Sequence, residues 1–224
     1  MAKKSGNVAV TTPKSKSLPA GGLSALEEVA LSASNQRLLD AAHDACGGPA
    51  VWRYRKLAEA YELLALSEIA PLFKVAFLDL REALRAVVLM HVPVPCLPDA
   101  DGNLRIAPRT RLGIRYPEEA LCRPVPGFSI VEIIQPKGVW HANVSTEAVQ
   151  MLCLGAHIPA GIRLKEIVLM TYGALSLQTV MIDEMDAAGV LNPEAARWWQ
   201  QNIKLVPLSR VSFLDNHKHS PEQR

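Results

Sequence analysis

Apolar residues recur along this chain with two different periods, and the switches between them divide it into three stretches. In the first, Leu23, Leu26, Val29, Ala30, Ala33, Leu38 and Ala41 fall at helical spacing, and Gly47-Gly48-Pro49 supplies a stop. A second helix is expected from about Val51 to Ile69, with Leu57, Ala60, Tyr61, Leu64 and Ala65 on one face and Pro71 ending it. Phe73, Val75 and Phe77 then alternate as in a strand over 72–79. The helix formers within Leu80-Arg81-Glu82-Ala83-Leu84-Arg85 leave 80–86 undecided between the two periods.

The middle stretch consists of short apolar runs punctuated by turn residues. Val87–Met90, Arg111–Arg115 and Phe128–Ile133 read as strands, and Asp99-Ala100-Asp101-Gly102-Asn103 as a hairpin turn. Prolines at 93, 95, 98, 108, 117, 124, 126 and 136 sit between or beside these runs, where a missing amide donor does least harm. After Cys153 the helical period returns. Leu164, Ile167, Val168, Met170, Thr171, Leu175 and Leu177 form one apolar helix, led in by Pro159-Ala160-Gly161. Asn192 as N-cap and Pro193 at the first helical position start another. Helices, a run of strands, then helices is the α+β order, an antiparallel meander sheet flanked by helices.

Composition assigns the ends. Residues 1–22 have few large apolar groups and read as a disordered tail, 23–50 as an N-terminal extension helix, 51–214 as the domain with the core, and 215–224 as a frayed end. For 224 residues one core is expected, built from Leu, Val, Ile and Ala because only 5% of residues are aromatic. A net charge of +2 makes no case for nucleic acid. Without an apolar run of about 20 residues or a secretory signal, the expectation is a cytoplasmic protein with no membrane contact. Cys46, Cys96, Cys122 and Cys153 are scattered, which fits a reducing compartment. His43-x-x-Cys46 is half a metal site with no second half, so neither metal nor cofactor is expected.

The chemistry concentrates in Trp140-His141-Ala142-Asn143-Val144 and Leu152-Cys153-Leu154-Gly155. Cys153 lies between two leucines, which suits a buried structural thiol as well as a nucleophile able to attack an activated acyl group. Asn143, ten residues earlier, can donate to an oxyanion or hold its own loop. His141 is read as a brace for that loop rather than a base. His157 offers a Cys–His dyad, although such dyads are normally assembled from distant segments. Asp183, Glu184 and Asp186 form a solvated acidic cluster that could orient an incoming lysine if it lay near Cys153.

Taken in order, Tyr116-Pro117, Pro124-x-Pro126, Phe128, His141-Ala142-Asn143-Val144, Cys153-Leu154 and Leu191-Asn192-Pro193-Glu194-Ala195-Ala196 resemble the landmarks of ubiquitin-conjugating enzymes. The likeness spans about residues 104–203 and looks most like prokaryotic members. Those stand in Bil-like antiphage operons beside a ubiquitin-like protein, an adenylating enzyme and a deconjugating metallopeptidase. The resemblance implies the conjugating-enzyme fold, with residues 51–214 as the catalytic domain. It makes Cys153 the thioester-forming nucleophile, Asn143 the support of loop or oxyanion, and His141 the structural histidine. It places 183–186, with Asp183 and Asp186, near the active-site gate. The implied partners are the modifier, the activating enzyme and a target lysine, with a phage structural protein among the candidate targets. Ala142 stands where the family motif has proline, the 143–153 loop is about two residues longer, and Gly155 replaces a frequent aspartate. The competing expectations are a catalytically inactive domain that only binds the modifier, and a cysteine hydrolase using Cys153 and His157.

Overall fold

The computed structural model describes residues 34–41, 46–97, 104–179, 181–183, 185, 189–205 and 213. Residues 34–41 are helical (α1), followed by α2 (Ala50–Ile69) and the strands β1 (Phe73–Asp79), β2 (Leu84–Met90), β3 (Val94–Cys96), β4 (Arg105–Ala107) and β5 (Thr110–Tyr116). Then come a single turn α3 (Glu119–Cys122), β6 (Val125–Pro126), β7 (Val131–Gln135), β8 (Gln150–Leu152), β9 (His157–Ile158), α4 (Leu164–Leu175) and α5 (Pro193–Gln201). The five strands β1-β2-β5-β7-β8 form one antiparallel sheet in that order, and β3-β4 and β6-β9 are two small antiparallel pairs. The α+β class expected from the periodicity is therefore present.

Strand alternation builds the core. In β2 and β5 every second residue is buried, Leu84, Ala86, Val88 and Met90 beside Leu112, Ile114 and Tyr116. These pack with Trp52 and Leu63 of α2 and Ile167, Val168 and Leu175 of α4 in one cluster. Each such fully buried aliphatic side chain contributes about 1.5–3 kcal/mol.

Several local expectations need correction. The buried stripe of α2 is Trp52, Lys56, Ala60, Leu63 and Ser67, with Glu59 beside it, while Tyr61 and Ala65 face outward. The indole of Trp52 anchors that rotation by donating to the Glu82 carbonyl at 2.8 Å. Leu84 and Arg85, undecided from sequence, begin β2, because pairing with β1 and β5 outweighs their helix preference. Phe128, Ser129 and Ile130 lie outside a strand: Ser129 closes a turn onto the Pro126 carbonyl through its N–H at 3.0 Å and its hydroxyl at 2.6 Å. Leu177 lies beyond the end of α4. The 1–22 and 215–224 tails, the 99–103 turn, His43, and most of the 23–50 helix fall outside the described residues. The strands flanking that turn do pair, Cys96 opposite Arg105. Pro126 sits in the two-stranded β6-β9 pair, and Pro95, between β4 and the Val139 bridge, takes part through its carbonyl, which accepts the Trp140 N–H at 2.8 Å.

Three buried polar side chains fix the elements. Asn35 of α1 lies against the edge strand β1, donating to the Val75 carbonyl at 2.7 Å and accepting the Phe77 N–H at 3.1 Å. The Lys56 ammonium donates to the carbonyls of Leu80 and Arg81, each at 2.6 Å, and of Gly47 at 2.9 Å, with Glu82 at 3.3 Å. That gathers the β1–β2 loop under α2. Glu59 joins α2 to α4, accepting the Leu164 N–H at 2.7 Å and the Arg163 guanidinium at 2.9 Å. Around the same joint, Arg55 donates to the Gly161 carbonyl and Tyr116 to that of Ile162. The lead-in loop of α4 is thus held from three directions.

Candidate active site around Cys153

His141 is the first fixed point. Its Nδ1 accepts the Asn143 N–H at 3.0 Å, which leaves Nε2 as the protonated nitrogen, 2.9 Å from the Ala174 carbonyl. The ring is fully buried, and desolvation pushes its pKa down to about 4, opposed by the bond to Ala174. A neutral imidazole with both nitrogens engaged is a brace between the 141–144 turn and the end of α4. That helix closes with the Leu177 N–H on Ala174 and the Gln178 N–H on Gly173, at 3.0 and 2.9 Å. Leu177 stands at the left-handed position with φ 60°, where glycine is usual.

Asn143 is the second fixed point. The Cys153 N–H donates to its carbonyl at 2.8 Å, and Val144 bridges Leu152 next to it, so residues ten apart in sequence lie side by side. Its side-chain nitrogen donates to the Gly189 carbonyl at 2.5 Å, with Met181 O at 3.4 Å, while its oxygen accepts the Met181 N–H at 3.2 Å. The amide therefore ties Met181 and Gly189 to the 141–144 turn. Ile182 packs towards Trp140, Trp199 and Ala196, and its carbonyl accepts from Gln200. The N-cap predicted for α5 forms as expected, with Asn192 accepting the Ala195 N–H at 3.0 Å.

Cys153 follows β8 directly and is 4% exposed, with Sγ 3.3 Å from the Gly155 carbonyl. Gly155 has φ 112°, a conformation that disfavours any residue with a Cβ, and a Cβ there would meet nothing within 4 Å. Gly127 packs backbone to backbone on this turn: a Cβ there would lie 1.7 Å from the Gly155 oxygen. Cys153 lines a cavity of about 730 Å³. Asn143 and the 154–156 turn form one side of it, Leu169, Met170 and Gly173 of α4 another, and Thr179, Met181 and Gly189 the third.

Cys153 and Asn143 thus share one cavity, with His141 behind them. His157 and Asp183 are placed elsewhere. His157 is exposed on β9 while its neighbour Ile158 is buried, so strand alternation turns the imidazole outward, and it does not line the cavity. Asp183 is exposed and accepts the Met185 N–H at 3.0 Å in a local turn, also outside the cavity lining. Asp186 and Glu184 lie outside the described residues. Met181, Gly173 and Gly189 carry no motif in the sequence and come to line the cavity only through tertiary packing. Cys46 and Cys96 are buried, Cys46 donating to the Leu80 carbonyl, and Cys122 is exposed. Among the described residues no group of three His, Cys, Asp or Glu side chains could hold a metal. None of the described helices is long and apolar enough to cross a membrane. Comparison with protein-family models, with curated proteins and with solved structures gives no match.

Proposed function

We propose that the chain is a conjugating enzyme of the ubiquitin type, in which Cys153 carries a ubiquitin-like modifier as a thioester. The observation that supports this most is the shared cavity: Cys153 and Asn143 both line one largely apolar space, backed by a histidine engaged on both nitrogens. The Cys153 thiolate attacks the carbonyl carbon of a thioester held on an adenylating enzyme's cysteine, and the donor sulfur leaves as a thiol. An amine, such as a target lysine, then attacks the same carbonyl, loses a proton, and releases Cys153. ATP is consumed upstream, so the domain itself uses no metal or cofactor. The conjugating-enzyme fold, the cytoplasmic setting, and an antiphage role with a phage structural protein as target and a metallopeptidase reversing the reaction belong to the same proposal.

A second reading is a domain that binds the modifier without accepting it. The near-complete burial of the thiol and the full engagement of the Asn143 amide favour it. Incubation with activating enzyme, modifier and ATP separates the two. A thiol-sensitive adduct that disappears in Cys153→Ala supports the carrier, whereas binding without an adduct supports the second reading.

A further inference from the structure

The turn that follows Cys153 is gripped from one side by a short segment to which the sulfur chemistry assigns no part. Gly127 makes two backbone bonds to it: its carbonyl accepts the Leu154 N–H at 3.1 Å, and its N–H donates to the Ala156 carbonyl at 3.3 Å. These bonds flank Gly155, and β6 and β9 continue the pairing, with Pro126 opposite His157 and Val125 opposite Ile158. The gripping segment is anchored in turn. Ser129 folds back onto the Pro126 carbonyl, and the Arg115 N–H of β5 donates to the Ile130 carbonyl at 2.9 Å.

Glycine at 127 serves proximity rather than chain direction. The described glycines with positive φ are Gly48, Gly138, Gly155 and Gly161, so backbone conformation places no demand on Gly127. A Cβ there would nevertheless lie 1.7 Å from the Gly155 oxygen and 2.7 Å from its carbonyl carbon, where real Cβ contacts stop near 3.0 Å. Both are backbone atoms, which cannot swing aside as a side chain can. The same Gly155 oxygen accepts from Cys153 Sγ at 3.3 Å. One carbonyl thus stands between Gly127 and the thiol. Gly113 of β5 provides the contrast: a Cβ there would meet only the Glu132 side chain, 2.5 Å away, whose carboxylate can rotate clear.

Resting on the acyl-carrier reading for its effect on the reaction, we infer that Gly127 is a positioning residue for Cys153. It touches neither acyl donor nor amine; through the Gly155 carbonyl it sets where Sγ stands. A side chain at 127 forces that carbonyl or its partner segment to give way by more than 1 Å. Misplacing a reacting group by about 1 Å costs on the order of a hundredfold in rate.

The test uses the full chain with Gly127→Ala and Gly113→Ala. Cys153 is followed by iodoacetamide alkylation, read as peptide mass so that Cys122 is counted separately, and by the thiol-sensitive adduct formed with activating enzyme, modifier and ATP. Gly127→Ala is expected to alkylate at Cys153 at least fivefold faster, because the thiol leaves the Gly155 carbonyl and gains solvent. It is expected to form adduct at least tenfold more slowly per folded molecule. Gly113→Ala is expected to leave both rates within twofold. A glycine that only supports the fold would not move the two rates in opposite directions. A folded Gly127→Ala with both rates unchanged, or both shifted only in proportion to its unfolded fraction, overturns the proposal. If Gly127→Ala does not fold, Ser129→Ala loosens the same segment at the Pro126 carbonyl and is expected to shift both rates in the same senses, at least twofold; unchanged rates there overturn it equally. An adduct absent from the unaltered chain sinks the carrier reading, and the alkylation contrast still decides the role of Gly127.

Discussion

Two buried polar side chains, Lys56 and Asn143, each bond to backbone at opposite ends of this molecule, and they do so differently. Under α2, the 80–82 loop is gripped by the Lys56 ammonium, and each of its carbonyls has a second donor: Cys46 Sγ on Leu80, Gly47 N–H on Arg81, and Trp52 Nε1 on Glu82. At the other end, Met181 and Gly189 rest on the neutral Asn143 amide beside a cavity of about 730 Å³. Hydrogen bonds to a charged donor are worth roughly twice those of a neutral amide. The Lys56 end is sealed and redundantly bonded. The Cys153 end depends on a few neutral bonds and leaves room for a ligand.

The largest expected effect tests the histidine that supports the hollow end. His141 is held near a pKa of about 4, against about 6.5 in the unfolded chain. Between those values the unfolded state binds the extra proton, so stability is fully present above pH 6.5 and falls as pH drops towards 4, by about 3 kcal/mol. Denaturant midpoints from pH 7.5 to 4 should show this decline, and His141→Gln should flatten it; an unchanged slope in the variant removes His141 as the brace. Next, Lys56→Met should cost about 2–3 kcal/mol in denaturation while the folded fraction retains adduct formation at Cys153. Asn143→Ala should cost less, about 1–2 kcal/mol, but reduce transfer to amine far more than Lys56→Met does. Should Asn143→Ala prove the more destabilising of the two, the contrast between the ends is broken. The smallest effect is Gly155→Ala, about 1 kcal/mol from the positive φ alone, since the space beside it is open. A thermal melt would resolve it from the larger three.

Much of this arrangement could be read from spacing. The alternation in 73–77 and the short apolar run 87–90 mark strands, and Asn192-Pro193 starts α5 through chemistry confined to four residues. Asn143 and Cys153 pair as candidates through the order of the landmarks around them, Tyr116-Pro117 before and Asn192-Pro193 after. The short pairs β3-β4 and β6-β9 were not legible, because two or three residues carry no period. The buried face of α2 was misassigned because Lys56 and Glu59 count as polar, although positions 52, 56, 60, 63 and 67 repeat at helical spacing. The outward turn of His157 and Asp183 depends on which neighbours bury Ile158 and hold Met181, and no local pattern reports that.

Asn35 carries a last consequence. Its amide occupies one carbonyl and one N–H of β1, the outermost strand of the sheet, in place of a missing sixth strand. A chain shortened to begin at α2 would leave those two groups open to any passing extended backbone, including that of its twin. The first helix therefore bears on colloidal behaviour as well as on folding: the shortened chain would self-associate more readily as its concentration rises, with Cys153 untouched.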